Sequence, residues 1–365
     1  MTVRPIGLAL LAGLCVFGAD WDARQTAAYM DARQKEWAAW PAAQLGNGMA
    51  CLSCHTGMTY LLARPVLRAT LGETQPTAHE ATLLEGLRSR VGRSTGGELA
   101  ARYEKEPRAS QSIGVESVLA AFLLSRADQG RAELSAQTAQ AFDRLWKLQK
   151  KEGDRKGSWS WFELDDDPYE GTASPFFGAT LAAVAVGTTP MDYQRKAAEP
   201  VAMLREYLKA NVASQPLHNR LLLAWAARRL PGVLTSAEQK AIIAEAFGKQ
   251  ESDGGWTLAA LGPWPEHAAA KPSFGSNGYA TALTAFTLQQ SGVSGSDKKL
   301  KAALAWLRTH QDRQTGTWAA QSMNKVYPAG SMQENFMRDA ATAFAVLALA
   351  GAEHQQGARS SSAGE

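Results

Sequence analysis

Cysteine is scarce in this chain of 365 residues, which holds three. Three thiols are too few for a disulfide scaffold, so what matters is where they lie. An excess of one charge is also missing. With 38 Lys+Arg against 35 Asp+Glu, the formal charge is +3. That gives no reason to expect nucleic acid or an acidic surface as partner. Strand-like alternation is scarce. After residue 19, no run is long and apolar enough to span a bilayer, so no stable membrane span is expected. The hydrophobic share of 45% is ordinary for a folded protein and excludes disorder and collagen-like structure.

Residues 1–19 read MTVRPIGLALLAGLCVFGA. Arg4 leads into an uncharged run from Pro5 to Ala19 that ends in small residues. The run is shorter than the ~20 residues of a membrane span and has the form of a secretory signal peptide, cut after Gly18 or Ala19. An uncleaved anchor is the alternative. The protein is therefore expected to be periplasmic or secreted in a bacterium, and Cys15 to leave with the leader.

The two remaining cysteines stand in Ala50-Cys51-Leu52-Ser53-Cys54-His55. Cys-x-x-Cys-His is the attachment sequence for c-type haem. Two thiols add to the vinyl groups and the next residue offers an imidazole to iron. One covalent haem c is expected, with Cys51 and Cys54 as anchors and His55 as proximal ligand. A disulfide or a thioredoxin-like pair is the alternative, but the latter needs a βαβ pattern that is missing here. Zinc needs ligands that no second cysteine pair supplies.

The rest reads as helices, rich in Ala, Leu, Gln, Lys and Arg. Thr77 with Glu80 and Thr235 with Glu238 match the capping box. Helices are predicted over 20–40 and 56–71, 77–91 and 111–127, 135–150 and 174–187, 192–210 and 217–229, 235–250 and 276–291, and 297–311 and 336–350, each couple taken as a hairpin. First helices are amphipathic, as at Leu300, Leu304 and Leu307. Second helices are small and apolar all round, as at Gly178–Val186 and Ala340–Leu349, which predicts an inner ring inside an outer one. The fold class expected is all-α, a single toroid over 20–352 with the haem loop at 50–55 and a disordered tail at 353–365. The connections inside the couples are mostly long, at 151–173, 251–275 and 312–335, and function is expected at the end of the ring where they emerge.

Three couples share a further signal. The first helix ends in Gln, a Gly-containing turn follows, and then Trp: Gln149…Gly157-Ser158-Trp159, Gln250-Glu251-Ser252-Asp253-Gly254-Gly255-Trp256, and Gln311…Gly316-Thr317-Trp318. Such repetition indicates stacked supersecondary units. These residues resemble the QW repeats of the squalene–hopene cyclase and prenyltransferase superfamily over about residues 135–351. The resemblance implies an α/α toroid, and it says little about activity. The cyclase pattern Asp-x-Asp-Asp-Thr is broken here at Leu164-Asp165-Asp166-Asp167-Pro168, so its catalytic acid is not carried over. The chain has length for one barrel only. With Cys-x-x-Cys-His near its start, it is similar to cytochrome-like, secreted single-toroid proteins.

A second axial ligand to haem iron is commonly His or Met. Met332, in the last long connection, is the first candidate, and His79, Met58, His218, His267 and Met337 rank behind it. A five-coordinate iron is the other option and favours ligand binding or peroxidase-like chemistry. Carboxylates also gather at this end, of which Asp166 and Glu170 are weak candidates for acid/base catalysis. Three readings follow. The first is an exported monohaem protein in electron transfer or haem-based redox chemistry, with a periplasmic redox partner or a small apolar molecule in the ring. The second is a toroid enzyme of terpenoid-cyclase or polysaccharide-lyase type. The third is a secreted protein-binding scaffold.

Overall fold

The computed structural model describes residues 21–46, 49–91, 105–267, 270 and 275–362; the predicted signal peptide lies outside them. Among the described residues there are thirteen α-helices. In chain order the predicted couples are α1 (Ala23–Ala39) and α2 (Gly57–Thr70), α3 (Ala78–Val91) and α4 (Arg108–Ala127), and α5 (Ala136–Leu148) and α6 (Ser174–Thr188). Then come the short α7 (Met191–Lys196), α8 (Ala198–Asn211) and α9 (Leu217–Arg229), α10 (Ser236–Gly248) and α11 (Gly278–Gln290), and α12 (Lys298–Thr309) and α13 (Phe336–Ser362). The protein is all-α. Two small antiparallel ladders sit in connections, β1 (Gln44–Gly46) with β2 (Met49–Ala50) and β3 (Gln311–Asp312) with β4 (Thr317–Trp318).

Local chemistry sets the boundaries. Both predicted capping boxes form, at Thr77 with Glu80 and at Thr235 with Glu238. The helix predicted over 192–210 is broken between α7 and α8, because Pro200 carries no N–H and its ring would clash with the carbonyl of Lys196 in an unbroken helix. The last helix runs to Ser362, through most of the segment expected to be a disordered tail.

Burial separates the two kinds of helix. Every residue of α6 from Ser174 to Val186 is buried, and so is every residue of α11 from Gly278 to Gln289. In α12 only a stripe is covered, at Leu300, Ala303, Leu304, Trp306 and Leu307. The buried helices touch in chain order, α2 on α4, α4 on α6, α6 on α9, α9 on α11 and α11 on α13, and α13 packs back on α2. The amphipathic helices lie outside this circuit.

The pairing differs from the hairpins expected. From α5 onwards each outer helix packs on the buried helix before it: α5 on α4, α8 on α6, α10 on α9 and α12 on α11. The true hairpins are joined by the short connections, which force their helices into antiparallel contact, whereas a long connection leaves its two ends free to diverge.

The Gln–Gly–Trp repeat has one geometry in all three places. The Gln Nε2 donates to the loop glycine's carbonyl: Gly157 at 3.1 Å, Gly254 at 2.8 Å and Gly316 at 3.4 Å. It also reaches the start of the next outer helix, at Pro200 O (2.9 Å), Lys299 O (2.9 Å) and Asp22 O (3.2 Å). The Trp indole turns back to the carbonyl four residues before the Gln, at Leu145, Ala246 and Leu307, at 2.7 Å each time. Each repeat staples one outer helix to the next, and the third joins the last outer helix to the first. Gly157 and Gly254 both have positive φ, and a Cβ on either would meet the backbone of the next outer helix, so the close approach needs glycine.

Candidate functional site

The segment with the two cysteines is a tight turn leading into α2. The Ser53 hydroxyl accepts from the backbone N–H of His55 (3.1 Å) and Thr56 (3.0 Å), and Met58 N–H donates to the Ser53 carbonyl at 2.8 Å. The bonds from Thr56 and Met58 satisfy N–H groups that the helix itself leaves open at its start. On the other side, Cys51 N–H donates to Ala43 O at 2.8 Å and the Trp37 indole to Cys51 O at 2.7 Å. Thr56 then ties the turn to the last helix through Asp339 Oδ2 at 2.7 Å. Asp339 also accepts from Tyr29 and from Arg33, so a buried carboxylate is fully used by α1, α13 and the turn.

Cys51, Cys54 and His55 line one cavity of about 220 Å³. Its apolar wall includes Trp37, Trp40, Leu87, Leu119 and Phe336, and its polar groups include Arg90, Glu116 and Glu170. The His55 imidazole stacks on Phe336, with centroids 4.9 Å apart, and meets the edge of Tyr169 at 5.0 Å. Both cysteines are thiols and not a disulfide. Burial sets the protonation states. It pushes the His55 pKa down to about 4, so the imidazole is neutral and offers a lone pair at neutral pH. It pushes the Cys54 thiol up, with nearby Glu170 and Cys51 adding to the rise. It raises Glu170 to about 7, with Asp166 adding to the rise and Arg108 and Lys325 opposing it.

The donor chemistry suits a c-type haem. Two cysteine side chains and one neutral imidazole face the same largely apolar space. Iron would need only the imidazole, because the thiols would form carbon–sulfur bonds to such a group. Among the described residues no group of three or more His, Cys, Asp and Glu is arranged to hold a bare metal ion. The cavity is smaller than the roughly 300–1,000 Å³ of most ligand clefts, so a macrocycle fills it only when wall side chains swing aside.

The remaining candidates are spread over the molecule. Met332 does not line the cavity; its sulfur accepts from Arg33 Nη2 at 2.9 Å. His218 is fully buried between Asn219 and Tyr279, at 2.8 Å from each. His79 lies edge-on to Tyr60, and His267 Nε2 is 3.6 Å from Asp167 Oδ2. Met58 and Met337 are buried in helices. Asp166 pairs with Lys325 at 3.2 Å and does not line the cavity, whereas Glu170 does. The sequence reading missed Arg90 and Glu116. An arginine on an outer helix and a glutamate on an inner one gave no signal of facing a common space. It also missed Tyr169, which a pattern of aromatics in a long loop could have suggested.

No family model matches the chain, and no curated protein is significantly similar to it.

Proposed function

We propose that this is an exported monohaem c-type protein built on a single α/α toroid. The observation that carries the reading is that Cys51, Cys54 and His55 line one largely apolar cavity, with no disulfide between the two cysteines and with the imidazole neutral. The closed circuit of buried helices and the three Gln–Gly–Trp staples support the toroid. Cys51 and Cys54 would hold the haem covalently and His55 would face its iron. When bound, that group supplies a one-electron couple, used either for transfer to a periplasmic partner or on a small molecule. The chain's own part is positional. Phe336 and Tyr169 fix the plane of the His55 ring, Ser53 and Asp339 fix the turn, and Trp37, Trp40, Leu87 and Leu119 keep water from the site.

The test is expression with the signal peptide in a host that carries c-type haem maturation factors. Haem absorbance that stays with the polypeptide after denaturation is expected, and its loss in Cys51→Ser and in Cys54→Ser. Secreted protein without haem under those conditions ends the proposal. Spectra of the oxidised and reduced forms then separate the uses, since a low-spin iron fits electron transfer and a high-spin iron an open site.

A second reading rests on Glu170, whose half-buried carboxyl lines the same cavity with a pKa raised to about 7. That is the range of a general acid or base, and it fits an enzyme of terpenoid-cyclase or polysaccharide-lyase type. Turnover of an isoprenoid or uronate substrate that Glu170→Gln abolishes supports it; turnover indifferent to that change removes it.

A further inference from the structure

We infer that Arg90 is the carboxylate-binding residue of the cavity and takes an acid side arm of the haem, an inference that rests on the haem reading above. Arg90 stands in the last turn of α3 and is 6% exposed. Its guanidinium is poorly satisfied for so buried a charge. Among the described residues Nε has no hydrogen-bond partner, and Nη1 makes one long contact, 3.5 Å, to the carbonyl of Ala50 beside Cys51. The nearest acid is Glu116, with Oε1 3.4 Å from Nε. That carboxylate is shared, because Arg144 Nη1 donates to the same oxygen at 3.2 Å.

Among the described residues, the buried Arg90 and Glu116 and the half-buried Arg144 thus form a cluster of two cations and one anion. A net positive charge in a dry wall is costly unless a further anion meets it. Among the described residues lining the cavity, Arg90 is the one cation. The opposite requirement comes from the group itself, since haem carries two carboxylate arms on an otherwise apolar macrocycle. A planar guanidinium with unused N–H groups matches a carboxylate in shape and charge. Glu116 and Arg144 then act as positioning residues that hold Arg90 in place.

The test compares two probes on the full chain made without maturation factors: iron protoporphyrin IX and its dimethyl ester, which lacks the charges. Titration followed in the visible spectrum should give the wild type about tenfold tighter binding of the free acid, the scale of a charge-assisted hydrogen bond. In Arg90→Leu that preference should fall to near one while ester affinity stays unchanged, and Arg90→Lys should keep part of it. Wild-type protein that binds acid and ester equally, or Arg90→Leu that keeps the full preference, overturns the inference. Covalent haem acquired by the same protein during maturation leaves the haem reading standing in either case. Protein that binds neither probe and acquires no covalent haem overturns both.

Discussion

The hydroxyl of Thr56 donates to Asp339 Oδ2 at 2.7 Å, across 283 residues of chain. It joins the turn that carries His55 to the final helix, and the same carboxylate receives Arg33 and Tyr29 from the first helix. The candidate site is therefore held where the two ends of the circuit meet.

Replacing Asp339 tests that junction. Asp339→Ala removes the buried carboxylate partner of the Arg33 guanidinium and leaves it the exposed Glu36, and breaking a buried pair costs about 3–5 kcal/mol. Urea unfolding should show a loss of that size, and the haem fraction of exported protein should fall with it. Thr56→Val removes only one hydrogen bond and should cost about 1 kcal/mol. A loss in Asp339→Ala no larger than that would mean the cluster does not hold the ends together.

The staples make a graded prediction. Gln250→Ala removes two hydrogen bonds, one to the loop carbonyl of Gly254 and one to Lys299 of the next outer helix, worth about 1–2 kcal/mol in net stability. Gln311 does more, because its Oε1 also accepts from Asp22 N–H at 2.7 Å and its Nε2 donates to Thr26 Oγ1 at 2.9 Å. Gln311→Ala should therefore cost about 2–3 kcal/mol. Equal urea midpoints for the two variants would show that the last staple is not special to closing the circuit.

His218 is bound into the core. Its Nε2 is 2.8 Å from Tyr279 Oη, which is itself 2.9 Å from Tyr169 Oη, and all three side chains are fully buried. Tyr279→Phe keeps the ring and orphans a buried imidazole nitrogen, at a cost of about 1–3 kcal/mol. Removing both polar groups in Tyr279→Phe with His218→Leu should cost less than the two single changes added together. Additive losses in thermal or urea unfolding would contradict the pairing.

Much of this architecture was legible in the sequence, for definite reasons. Inner helices are apolar on every side, so α6 and α11 stand out without any partner being known. The staples are legible because one local geometry needs Gln, Gly and Trp together, and it occurs three times. Pairing across the long connections was misread, since composition shows which helices are inner but not which neighbour each outer helix chooses. The long-range clusters were not legible at all. Arg33, Arg90 and Arg144 each sit on an amphipathic outer helix, where a cation ordinarily faces water. Only the fold turns Arg33 onto Asp339, or Arg90 and Arg144 onto Glu116. Glu170 was visible as one acid among many in its loop, and what distinguishes it is a cavity assembled from distant segments.

The titration of Glu170 gives a signed prediction for the haem-free protein. Its pKa is about 7 in the fold, against about 4.5 in the unfolded chain. Between those values the native state holds a proton that the unfolded state has lost, so this group's contribution to stability is complete below about pH 4.5 and declines as pH rises through 7. At one pKa unit per 1.36 kcal/mol, the full decline approaches about 3 kcal/mol. His55 works in the other direction. Its pKa is lowered from 6.5 to about 4, so it contributes stability that is lost as the pH falls through that same interval. The two opposing slopes partly cancel in the wild type. Glu170→Gln removes one of them, so its stability should climb with pH more steeply than the wild type's between about pH 4.5 and 7. Urea midpoints at four pH values across that range measure the difference directly. Parallel profiles for the two proteins would mean that Glu170 is already ionised in the folded cavity and that the carboxyl beside Cys54 is better solvated than its surroundings imply.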